Sequence, residues 1–163
     1  MCGTVYIFGG FFFPYEPVDT AEAFSLKTDT WSEVSQLPEV YGATNAIYHN
    51  TKIYIVGHLS SKIAEFSPKT NTYRQIPAKL DADKILKTIL TNGTDLIIIS
   101  QSENVCKNIK TGETIETYEY IADMNNSRFG DVVKYDQKLY FHIYFRGVFY
   151  WDLERNELDL VKI

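Results

Sequence analysis

Short apolar runs recur along this chain at nearly even spacing: Val5-Tyr6-Ile7-Phe8, Ile53-Tyr54-Ile55-Val56, Leu96-Ile97-Ile98-Ile99 and Leu139-Tyr140-Phe141. Each has the length and the β-branched and aromatic content of a strand. A polar turn keeps step with them. It reads Lys27-Thr28-Asp29-Thr30 before Trp31 and Lys69-Thr70-Asn71-Thr72 before Tyr73, with weaker copies at Lys110-Thr111-Gly112-Glu113 and Glu154-Arg155-Asn156-Glu157. Thr28, Thr70, Thr111 and Arg155 are spaced 42, 41 and 44 residues apart.

The pattern predicts four strands within one period. In the second repeat they are strand a at 43–48, b at 52–57, c from Lys62 to Ser67 and d at 72–76, closed by Pro77. In the third, Asn92-Gly93 between Ile89-Leu90 and Leu96-Ile97 predicts a hairpin, because this dipeptide tolerates φ > 0 at both central positions. The fourth reads as Asp131–Tyr135, Lys138–His142, Val148–Leu153 and Glu157–Val161. No segment reads as a helix; Leu80 to Lys87 reads as a connection between repeats. A repeat of 41–44 residues with four short strands predicts one propeller blade. Such a sheet cannot bury both faces alone, so blades stack side by side and share a core.

The repeats resemble the kelch repeat: an apolar strand ending in two glycines, an aromatic in the next strand, then a tryptophan. Gly9-Gly10, Phe24 and Trp31 fill those places in repeat one, which leads us to expect Trp31 in an inter-blade core. Repeat two has Gly57-His58, Phe66 and Tyr73, with the second glycine lost and tyrosine for tryptophan. Repeat three has Ser100-Gln101 and repeat four His142-Ile143 in place of the glycines, so these two rest on period and strand pattern. Trp151-Asp152 falls in strand c, out of place for the tryptophan-aspartate repeat.

The resemblance implies an all-β fold, a kelch-type β-propeller of about four four-stranded blades, forming a single module over 1–163 with blades at 4–38, 42–78, 86–121 and 128–163. The first blade lacks its strand a, so a partial propeller is expected, completed by further chain, a second copy or a partner subunit. Strand parity puts the b–c and d–a loops at one end of each blade, the end that commonly carries the ligand face in kelch propellers. Here that end holds Phe11, Phe12, Phe13, Tyr15, Tyr41, His58, Arg128, Phe129, Tyr144 and Arg146, the candidate partner-binding residues. Adjacent phenylalanines are not needed for a connection. Exposed, they mark an interface; folded back, they are core. Both readings stand at this point.

Composition narrows the function. A net charge of −5, with no Lys/Arg run, argues against a nucleic-acid partner. An aromatic content of 15% favours strands. No apolar run is long enough to cross a bilayer as a helix, and the start of the sequence does not read as a signal peptide. Cys2 and Cys106 form neither a metal-type pair nor a disulfide framework, which fits a reducing, cytoplasmic setting. His49, His58 and His142 lack the spacing of a metal site, and Asp19, Glu22, Asp29, Glu33 and Glu39 are scattered as solvated turn and strand-end residues. No cofactor is expected. The reading is a non-catalytic protein-binding module, a scaffold or substrate-recognition propeller of the kind that serves ubiquitin ligases or the cytoskeleton. The alternatives are a propeller enzyme (a sugar epimerase or oxidase) and a structural subunit of a large assembly. An enzyme needs converging polar groups in an axial pocket; a binder needs an open face rimmed by aromatics.

Overall fold

The computed structural model describes residues 3–78, 80, 87–91, 95–100, 104–108, 113–118, 129–136, 138–143, 147–152, 154–155 and 157–161. All regular structure among them is β. The first repeat forms β1 (Thr4–Phe8), the two-residue strands β2 (Phe11–Phe12) and β3 (Glu16–Pro17), β4 (Ala21–Ser25) and β5 (Thr30–Glu33). The second forms β6 (Gly42–His49), β7 (Lys52–His58), β8 (Lys62–Ser67) and β9 (Thr72–Pro77). The third forms β10 (Lys87–Thr91), β11 (Asp95–Ser100), β12 (Asn104–Asn108) and β13 (Thr114–Tyr118). The fourth forms β14 (Phe129–Tyr135), β15 (Lys138–Ile143), β16 (Gly147–Asp152) and β17 (Glu157–Leu160).

Each repeat is one antiparallel sheet with its strands in chain order: β1-β4-β5 (sheet I), then the four-stranded sheets II, III and IV. The small pair β2–β3 stands apart from sheet I. The strands match the sequence pattern to within a residue or two at most ends. The hairpin tip at Asn92-Gly93 and the connection at 81–86 lie outside the described residues.

The turns explain why the register repeats. Asn50 and Thr51 both take positive φ, the conformation a two-residue hairpin needs to follow the strand twist. Asp29 and Asn71 occupy the same place in the c–d turns of sheets I and II, with φ of 55° and 51°. The flanking threonine hydroxyls are hydrogen-bonded in both turns, Thr28 to Thr30 and Thr70 to Thr72, each at 2.7 Å. The short polar side chains of Asp and Asn make this left-handed conformation accessible.

Alternation along β7 then builds two cores. Ile53 and Ile55 point to sheet I, where with Ala64 and Phe66 they meet Phe8 and Ala21 and are flanked by Tyr6 and Tyr73. Phe66 meets the rings of Tyr6 and Phe8 edge-on at 5.7 and 5.5 Å. Tyr54, Val56 and Ile63 point the other way and pack with Ile89, Leu96 and Ile98 of sheet III. Burial raises the Tyr54 phenol to about 12, since the charged form would lose its water there. In sheets II and III the face toward the preceding sheet, here called leading, carries the buried first and third residues of the b-strand run.

Sheet I departs from this. Its leading face holds Val5, Ile7, Phe24 and Trp31, and Trp31 remains 55% exposed. Trp31 therefore does not lie in an inter-blade core. It packs against Phe24 of its own sheet, with ring centroids 5.0 Å apart, because no described sheet covers that face. Among the described residues no closed barrel is seen: the arrangement is all-β, with stacked antiparallel sheets consistent with a partial propeller. No helix among the described residues is long and apolar enough to cross a membrane.

Candidate functional site

The b–c connection of sheet I is a small raised hairpin. Phe11 pairs with Pro17 and Phe12 with Glu16, and the Tyr15 amide donates to the Phe12 carbonyl at 2.8 Å. The Phe13–Pro14 peptide is cis, and Tyr15 has φ of 142°, a region costly for a residue with a side chain. The base of the hairpin is tied to its surroundings. Gly9 N–H donates to Thr20 O and Gly10 N–H to Tyr41 O, both at 2.9 Å, while Val18 N–H donates to Gly10 O at 3.1 Å. Thr44 Oγ1 donates to Phe8 O at 2.6 Å. These bonds join the b–c loop of sheet I to the d–a segment and to the first strand of sheet II.

Two glycines make this approach feasible. Gly9 sits at φ of +56°, and a Cβ there would come within 2.6 Å of the Tyr41 carbonyl oxygen. Gly42 leaves room for the Phe11 ring, whose Cζ would lie 2.5 Å from an added Cβ. Phe11 is thus seated on sheet II on one side. Phe12 projects further, and Phe13 and Tyr15 are each 88% exposed. Phe12, Phe13 and Tyr15 therefore project into solvent rather than folding back over the sheet.

The remaining candidates fall differently. Tyr41 was expected on the loop face and is instead fully buried. Its ring belongs to the core between sheets I and II, and its carbonyl supports the hairpin from beneath. Its hydroxyl donates to Glu39 Oε1 at 3.3 Å. Burial, reinforced by the Glu39 carboxylate, holds the Tyr41 phenol well above its ordinary value despite the neighbouring Ser60 hydroxyl. His58 ends β7 half-buried, its Nδ1 enclosed without a hydrogen-bond partner among the described residues. Phe129 opens β14 opposite Ile143. Arg128, Tyr144 and Arg146 lie outside the described residues. His142 is exposed on β15.

Beside the hairpin base is a polar cluster that the sequence did not reveal. The buried Ser60 hydroxyl donates to Glu39 Oε1 and accepts from the Lys62 amide at 3.0 Å. Lys62 Nζ stands 3.5 Å from Glu39 Oε2 and 3.2 Å from Gln75 Oε1. These groups satisfy one another and lock the d–a segment to sheet II. Nothing in Glu39-Val40-Tyr41 announces this, since the partners lie 21 and 23 residues away. The seat for Phe11 had a weak signal: the small residues Gly42-Ala43 mark where β6 is irregular, between Gly42 and Asn45.

Stacked antiparallel sheets of three and four strands, with b–c and d–a loops hydrogen-bonded at one end, are consistent with part of a propeller. A family model of the Kelch motif matches residues 1–38, the segment containing β1, the aromatic hairpin, β4 and β5. No curated protein matches the chain.

Proposed function

We propose that this chain is a non-catalytic, kelch-type protein-interaction module that binds a protein partner through its b–c and d–a loop end. The observation that carries the reading is the aromatic hairpin. Phe12, Phe13 and Tyr15 stand in solvent on a base fixed by backbone hydrogen bonds and by the seating of Phe11 on Gly42. Exposed aromatics on a rigid base are what a protein interface spends its energy on: large contact area with little side-chain entropy to lose. The match to the Kelch motif supports the same reading, since kelch repeats commonly mediate protein contacts. A scaffold or substrate-recognition role in a reducing, cytoplasmic setting, serving a ubiquitin ligase or the cytoskeleton, is the finer form of this proposal.

The test is the double variant Phe12→Ser/Phe13→Ser. Proteins captured by the wild-type chain are quantified against those captured by the variant. The expected result is loss of the specific partner with the melting temperature nearly unchanged, because the replaced rings have little burial to lose. Retained binding overturns the reading, and a large loss of stability places the rings in the core.

A further inference from the structure

The short strands of the aromatic hairpin give it two faces, because successive side chains of a strand point to opposite sides and cross-strand partners share one. Phe11 pairs with Pro17, and Phe12 with Glu16. The Phe11 face is seated, its ring against Gly42 of sheet II. The other face is turned to solvent: Phe12 is 69% exposed, and Glu16 is exposed beside it. Side chains opposed in this way have Cβ atoms about 5 Å apart, which puts the Glu16 carboxylate within reach of the Phe12 ring edge. Glu16 makes no ion pair or side-chain hydrogen bond among the described residues. The surroundings of this face are acidic. Residues 1–51 hold six carboxylates, Glu16, Asp19, Glu22, Asp29, Glu33 and Glu39, against one lysine, Lys27, so the whole net charge of −5 falls there and the remainder of the chain is neutral. Lys27 stands in the c–d turn, at the end of sheet I away from the hairpin. Lys62, beside the hairpin base, is taken up by Glu39 and Gln75. Glu22 and Glu33 face one another across β4 and β5, one row from the Phe8–Ala21 pair that leads into the hairpin. Opposed carboxylates repel, and a cation brought by a partner relieves them.

We propose that the free face of the hairpin receives an arginine: the partner is a basic protein segment whose guanidinium stacks on Phe12 and pairs with Glu16. This rests on the reading of the hairpin as the partner-binding element and names what that element selects. A guanidinium is flat and carries its donors on its edge, so it lies over an aromatic ring and turns its fork to a carboxylate beside that ring at once. An ammonium is a compact point charge and does not make both contacts equally well. Phe13 and Tyr15 at the tip supply the apolar area that flanks the charged contact. The same local charge repels phosphate-rich surfaces and acidic peptides, so a basic segment is the occupant it fits.

The probe is a display library of random short peptides selected against the full chain. The enriched peptide is synthesised, and its affinity is measured by fluorescence anisotropy for the wild type, Glu16→Gln and Phe12→Ser/Phe13→Ser, and again with its arginine replaced by lysine or by glutamine. The selected peptides are expected to share an arginine. Glu16→Gln is expected to weaken binding about tenfold or more. The glutamine peptide should lose as much against the wild type, and the two changes together should lose no more than either alone, as coupled partners do. The lysine peptide should bind less tightly than the arginine peptide. Added salt should weaken binding, and less steeply in Glu16→Gln. Because Glu16 is exposed, Glu16→Gln should keep the wild-type melting temperature; the peptide substitutions read the same contact without altering the chain. Hairpin-dependent peptides that lack arginine, or arginine peptides indifferent to Glu16→Gln, overturn the arginine contact and leave the hairpin as the binding element. Peptides that bind Phe12→Ser/Phe13→Ser as well as the wild type, or a library that yields no binder, overturn the hairpin reading and the arginine contact with it.

Discussion

Phe66 and Phe24 hold the same place in successive repeats, and the structure gives them opposite surroundings. Phe66 is 1% exposed and meets the rings of Tyr6, Phe8 and Tyr73. Phe24 lies on the open leading face, with Trp31 as its ring neighbour. Replacing a buried phenylalanine by alanine costs about 3–5 kcal/mol, the transfer of the ring plus the cavity it leaves. At Phe24 the loss is part of one ring contact and a fraction of the buried area, about 0.5–1.5 kcal/mol. A domain of this kind has about 5–15 kcal/mol of stability, so Phe66→Ala removes a large share of it and Phe24→Ala a small one. Equilibrium urea unfolding of both variants measures the difference. Phe66→Ala should unfold at a much lower denaturant midpoint with an unchanged slope, and Phe24→Ala should stay near wild type. Equal losses would refute the inference that sheet I is open on its leading side.

Two glycines beside the hairpin should respond unlike each other. Gly9→Ala forces a Cβ toward the Tyr41 carbonyl in a left-handed conformation, and should cost about 2 kcal/mol or more in denaturant unfolding. Gly42→Ala meets only the tip of a half-exposed Phe11 ring. It should change the melting temperature little while displacing Phe11 and weakening partner binding. Asp152 accepts from the Arg155 and Glu154 amides at 3.1 Å and from Arg155 Nε at 3.0 Å. The Arg155 amide is the main cause holding its carboxyl below the ordinary value. A depressed carboxylate contributes stability above its unfolded value and loses it as pH falls through the folded one. Asp152→Asn should therefore lower the melting temperature at neutral pH and flatten its decline below about pH 4, as followed by circular dichroism.

Much of this architecture was legible because it is local. The strand runs and the Thr-Asp-Thr and Thr-Asn-Thr turns follow from side-chain alternation and from the few residues that accept positive φ. What escaped depends on neighbours distant in the chain. Trp31 reads as core by its place in the repeat, and is exposed because no described sheet stacks on the leading face of sheet I. Tyr41 reads as a loop residue by its place between strands. It is core because the Gly9 and Gly57 backbones come close enough to enclose it. The β2–β3 hairpin went unseen because Phe-Phe-Phe-Pro-Tyr lacks the Asn-Gly type of turn signal. The exposure of its aromatics depends on which of them Gly42 seats, and sequence patterning does not encode that.

Hydroxyl-radical footprinting of the aromatic side chains tests the central claim most directly, comparing the free chain with the chain recovered in complex with its protein partner. The account predicts that Phe12, Phe13 and Tyr15 react rapidly in the free chain, that Tyr41 and Phe66 do not, and that the partner protects the first three. Rapid reaction at Phe13 and Tyr15 in both states, with protection elsewhere, would contradict it.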